Sequence, residues 1–127
     1  MITRKEKTLT ADLRAIERLA REISQAHVPC LIIVHGGGSF GHPLAKRYAI
    51  KEGYKNDASQ AIGFAETHQA MVALNKLVVD NLIQHKIPAV ALSPSSCVVT
   101  KSGRIQTMME EPLKKLLQTG FVPVLYG

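Results

Sequence analysis

Apolar side chains fall into runs whose spacing changes along the chain, and each change marks an element. Between 10 and 26, Leu13, Ile16, Leu19, Ala20 and Ile23 recur at helical spacing. Thr10 is placed to cap that helix and Asp12 to favour its first turn. Residues 28–34, VPCLIIV, are almost wholly apolar and β-branched, which predicts a central strand buried on both faces. A short helix is expected over 43–48, with Pro43 in its first turn. The polar stretch 51–59 reads as a surface loop. A long helix follows over 59–85, with Phe64, Met71, Leu74, Val78 and Leu82 along one side. A strand is expected at 87–93 and a hairpin over 97–107, turning at Lys101, Ser102 and Gly103. A last helix, closed by Gly120, leads into an apolar strand at 121–127. Strands alternating with helices predict an α/β sandwich around a mainly parallel sheet.

One junction does more than turn the chain. The first strand runs into LIIVHGGGSFGH, three consecutive glycines bracketed by His35 and His42. Consecutive glycines cost backbone entropy, and a plain turn needs only one or two. In parallel α/β folds, ligands bind at the carboxyl ends of strands. Gly36, Gly37 and Gly38 carry no Cβ to block approach, so their N–H groups can form a nest for a phosphate; a tight turn is the alternative. The spacing matches neither a Walker A loop nor GxGxxG. His42 lies four residues beyond the last glycine, where its ring can return to donate to a phosphate oxygen. His35, on the strand end, reads as a buried, hydrogen-bonded structural histidine. His27, His68 and His85 read as surface or packing residues.

Composition narrows the function classes. The 127 residues make one domain or part of one, with 46% hydrophobic content to build a core. Charged and polar residues interrupt every apolar stretch before it reaches membrane-spanning length, and the basic N-terminus has no apolar segment behind it. A cytoplasmic protein is expected. The net charge of +6 is dispersed, aromatics are only 5%, and no nucleic-acid motif appears, so a phosphorylated small ligand fits better than nucleic acid. Cys30 and Cys97 lack metal-ligand spacing and read as buried thiols, and no metal site is identified.

The motifs HGGGSFGH, GFAETHQAMVALN, PAVALSPSS and GFVPVLYG together resemble the isopentenyl phosphate kinases of the amino-acid kinase superfamily, over essentially the whole chain. HGGG is shared across that superfamily, and Ser-Phe-Gly-His narrows the likeness to members whose acceptor is a phosphate. The resemblance implies an amino-acid-kinase-like αβα sandwich and ATP-dependent phosphorylation of isopentenyl phosphate, with Mg²⁺ bridging the nucleotide phosphates. It also implies a homodimer in the complete protein. Gly37, beside Gly36, matches the contact to the substrate phosphate, Gly38 the contact to the nucleotide, and His42 the histidine that holds the substrate phosphate. Lys5 matches a lysine that steadies charge on the transferring group. Phe64 and Met71 match the wall around the hydrocarbon tail, ordinary core packing being the alternative.

Two of the family's features lie outside the sequence: an opening strand carrying Lys-x-Gly-Gly-Ser, and a second lobe for adenine. Residues 1–127 are therefore expected to be the N-terminal substrate-binding lobe, incomplete at both ends, binding the monophosphate without turning it over alone. A fosfomycin-type phosphonate kinase and a non-catalytic phosphate-binding or assembly module are the alternatives.

Overall fold

The computed structural model describes residues 1–4 and 9–127. Helix α1 spans Leu13–Ala26, strand β1 Ile33–His35, helix α2 Gly38–Arg47 and helix α3 Ala58–Gln84. Strand β2 (Ala89–Ala91), the hairpin β3 (Val98–Lys101) and β4 (Arg104–Met108), helix α4 (Glu111–Gln118) and strand β5 (Val122–Tyr126) complete the order. The main sheet is parallel, in the order β1-β5-β2. The closing strand, not the first, is therefore the central one. β1 is an edge among the described strands, and Val34 on it is 70% exposed, against the expectation of burial on both faces.

Strand alternation explains the layers. Val122, Val124 and Tyr126 share one face of β5. Val124 on that face packs with Ile16 and Ala20 of α1, Val78 and Leu82 of α3, and Ala89. Pro123 and Leu125, on the other face, are also buried, and α4 packs against β5. A second cluster joins Phe40 of α2 to Ala70 and Leu74 of α3. α3 therefore runs through both clusters and links sheet to α2.

Four expectations shift, each for a physical reason. α1 starts at Leu13 because Asp12, not Thr10, caps it: Asp12 Oδ1 accepts the Ala15 N–H at 3.1 Å. Thr10 is committed elsewhere, its carbonyl accepting the Arg4 N–H beside a bridge between Thr3 and Ala11. β1 begins only at Ile33, since His27 and Cys30 have φ of 48° and 53°, which bends the apolar run before it can extend. That bend also leaves Cys30 exposed, while Cys97 is buried as expected.

α2 is longer than expected and takes Pro43 into its interior, not its first turn. A proline there has no N–H for the carbonyl four residues back, which belongs to Ser39. The Ser39 carbonyl instead accepts the Leu9 N–H at 3.0 Å, so the missing helical bond is replaced from outside. The hairpin turns where expected, at Ser102 and Gly103 with φ of 52° and 73°.

Candidate active site

The glycine loop leaves the carboxyl end of β1 and enters α2 directly. Gly37 has φ −74° and ψ −31°, and Gly38 follows with φ +47°. A right-handed residue followed by a left-handed one turns successive N–H groups towards one point, the geometry of an anion nest. The positive end of the α2 dipole adds to it. The Ser39 N–H of this nest donates to Thr3 Oγ1 at 3.3 Å. Among the described residues, the N–H groups of Gly36, Gly37 and Gly38 have no such partner.

Glycine is required here for space as well as conformation. A Cβ on Gly38 would lie 2.0 Å from Thr3 Oγ1, and one on Gly37 would lie 2.9 Å from Met71 Sδ. Met71 is thus buried directly beneath the loop. Around Gly36, by contrast, the space is open.

His42 is exposed on α2, one turn beyond Gly38 and on the same helical face. Side chains on a helix tilt towards its N-terminus, which for α2 is the end that carries the nest. It sits mid-helix and not at the helix start. His35 is half-buried: its Nε2 lies 2.9 Å from Asn75 Oδ1 and its Nδ1 3.2 Å from the Gly36 carbonyl. The Tyr126 ring neighbours two histidine rings, with centroids 6.0 Å from His35 and 6.3 Å from His68.

The two residues expected to line a tail pocket separate. Phe64 is 54% exposed and opens onto a cleft of about 900 Å³ shared with Ile50, Tyr54, Gln60, Thr100 and Gly103. Met71 does not line that cleft; it supports the loop floor. A second, mostly apolar cavity of about 390 Å³ lies beside β1, between Ile2, Ile16, Ile33 and Leu82. Lys5 lies outside the described residues. No group of three or more His, Cys, Asp or Glu among the described residues could hold a metal ion.

Sequence reasoning missed Thr3, Ser39 and Asn75. Asn75 was detectable: it falls four residues after Met71 and three before Val78, on the buried stripe of α3. A polar side chain on such a stripe needs a partner.

The pattern of the Amino acid kinase family matches residues 2–127. The chain belongs to that family. Within it, the chain is 40% identical to the isopentenyl phosphate kinase of Methanothermobacter thermautotrophicus, over all of its own length and 49% of that protein's. It is 39% identical to the isopentenyl phosphate kinase of Methanocaldococcus jannaschii over 88% of its own length and 46% of that protein's. A crystal structure of isopentenyl phosphate kinase superposes with a TM-score of 0.93 at 40% identity, covering 99% of this chain and 52% of that one. The chain spans about half the length of the relatives it matches. The α/β architecture with its parallel sheet is the fold of this amino acid kinase family member. No helix among the described residues is long and apolar enough to cross a membrane.

Proposed function

We propose that the chain is the substrate-binding part of an isopentenyl phosphate kinase, transferring a phosphoryl group from ATP to isopentenyl phosphate. The observation that carries this reading is the nest at Gly37 and Gly38 with His42 one helical turn above it. That arrangement suits an acceptor that is itself a phosphate. The terminal oxygens of such an acceptor are already mostly deprotonated at neutral pH, so it needs positioning and charge neutralisation more than a strong base. The Gly37 amide and His42 would hold the acceptor phosphate, with Gly36 leaving the approach clear. The Gly38 amide faces the same point and would meet the nucleotide phosphates. Lys5, from the resemblance, would steady charge on the group in flight.

The cleft supports the hydrocarbon end. Phe64 lies two turns before Met71 on α3, about 10 Å along the axis from the loop floor. A short isoprenoid anchored by its phosphate at the loop would run along that stretch towards the Phe64 cleft. Mg²⁺ would accompany ATP through the nucleotide's own phosphate oxygens, since the described residues offer no carboxylate cluster for it. The complete protein would be a homodimer. Nucleotide binding in a competent geometry would need parts of the protein beyond these residues, so the chain alone should bind the monophosphate and form no diphosphate. Calorimetric titration with isopentenyl phosphate and with ATP, alongside a product assay, tests this. Diphosphate formation by the purified chain would overturn it.

His42→Ala, made in the full-length protein, should slow transfer about ten- to a hundredfold. One charge-assisted hydrogen bond is worth roughly 1.5–3 kcal/mol. The variant should fold, because the His42 side chain is exposed. An unchanged rate with isopentenyl phosphate would remove His42 from the site.

A further inference from the structure

Asn75 is 3% exposed in the middle of α3, and its side chain meets one partner among the described residues, the Nε2 of His35. The other ring nitrogen faces the Gly36 carbonyl at 3.2 Å. A carbonyl can only accept, so Nδ1 must carry a proton for that contact to be a hydrogen bond. In a neutral ring Nε2 is then a lone pair, and Asn75 answers it by presenting its NH₂. The oxygen and nitrogen of an asparagine amide exchange places by a half-turn about the last bond. In a charged ring Nε2 donates instead, and Asn75 accepts with its oxygen. Either way, the Asn75 amide satisfies Nε2 while the proton stays on Nδ1. The Gly36 carbonyl thus keeps the proton on Nδ1, and Asn75 sets where the ring sits.

That proton matters one peptide further on. The Gly36–Gly37 peptide is trans, as are all the described peptides. The carbonyl and the N–H of a trans peptide point in opposite directions. Holding the Gly36 carbonyl towards His35 therefore turns the Gly37 N–H away from it, into the nest. We infer that Asn75 is a positioning residue: by holding Nε2 it fixes the His35 ring where Nδ1–H meets the Gly36 carbonyl, and so holds the Gly36–Gly37 peptide with the Gly37 amide aimed at a bound phosphate. The inference deepens the proposed function and rests on it for the identity of that phosphate. It differs from a packing role, since an apolar side chain of the same size would fill the space and release the peptide.

The test is nitrogen-15 NMR of the histidine rings and backbone amides of the chain at neutral pH. In the unsubstituted chain, His35 Nδ1 should be protonated. Finding Nδ1 unprotonated and Nε2 carrying the only proton would overturn the inference without any variant. In Asn75→Leu, the ring should lose its fixed place, the Nδ1 and Gly37 amide signals should shift or broaden, and affinity for isopentenyl phosphate should fall about tenfold. Asn75→Asp, whose carboxylate accepts from Nε2–H of a charged ring, should keep Nδ1 protonated and bind within about threefold of the original. A leucine variant that leaves the Gly37 peak unchanged would overturn the role. If the ring and amide respond as stated but the unsubstituted chain binds no isopentenyl phosphate, the peptide-locking role is supported and the substrate reading falls.

Discussion

Gly38→Ala should lower the melting temperature of the chain by roughly 10 °C, corresponding to a loss of about 3 kcal/mol for a domain of this size. Two costs combine. Gly38 has φ +47°, a conformation that costs an L-residue with a Cβ roughly 1–2 kcal/mol. The new Cβ would also lie 2.0 Å from Thr3 Oγ1 and 3.0 Å from Thr3 Cβ, so the threonine must move. Moving it breaks the Ser39 N–H to Thr3 bond and opens the nest, so phosphate affinity should fall with stability. Gly36→Ala is the internal control, because nothing lies within 4 Å of its would-be Cβ. It should melt within a degree or two of the original. Thr3→Ala in the Gly38→Ala background should recover part of the loss, because it removes the Oγ1 that the new methyl meets. A Gly38→Ala chain as stable as the Gly36→Ala one would show that the loop does not need this left-handed turn.

Met71→Ala should cost about 2–5 kcal/mol, while Phe64→Ala should stay within about 0.5 kcal/mol of the original stability. Their spacing in the sequence gives them the same helical side, yet their surroundings differ. Met71 is 6% exposed, and its Sδ fits against both Gly37 and Gly41, so truncation leaves a void under the loop. Phe64 is mostly exposed, and removing its ring enlarges an open cleft and leaves no cavity. On the proposed function, Phe64→Ala in the full-length protein should therefore admit longer isoprenoid phosphates, whereas Met71→Ala should weaken phosphate binding without changing chain-length preference. Thermal melts beside a panel of isoprenoid phosphates separate the two roles. Equal destabilisation by both substitutions would place Phe64 in the core.

These residues also show what sequence patterning reveals and where it stops. The long helix, the hairpin turn at Ser102-Gly103 and the parallel α/β class are legible because each depends on local spacing and turn chemistry. The start of α2 was not legible, because Gly38, Gly41 and Pro43 all disfavour helix on their own. The helix exists because Phe40 packs against Ala70 and Leu74, and because Leu9 takes the carbonyl that Pro43 cannot serve. Both are contacts across the fold. The place of β1 at the sheet edge was equally hidden, since an apolar run reads the same whether it lies inside a sheet or beside a groove. His35 was read correctly as a hydrogen-bonded residue, but its partner forty residues away was not.

Ser39 makes three hydrogen bonds to the N-terminal segment: its N–H to Thr3 Oγ1, its Oγ to the Thr10 carbonyl, and its carbonyl from the Leu9 N–H. These bonds grip the chain on both sides of residues 5–8, at a point some thirty positions later in the sequence. Peeling the N-terminal segment from the body therefore strips the first turn of α2 of its outside support in the same event. Detachment of this segment and opening of the glycine nest become one cooperative excursion with a single free energy, not two independent ones. An anion resting in the nest would then slow hydrogen exchange at Leu9 as well as at the glycines.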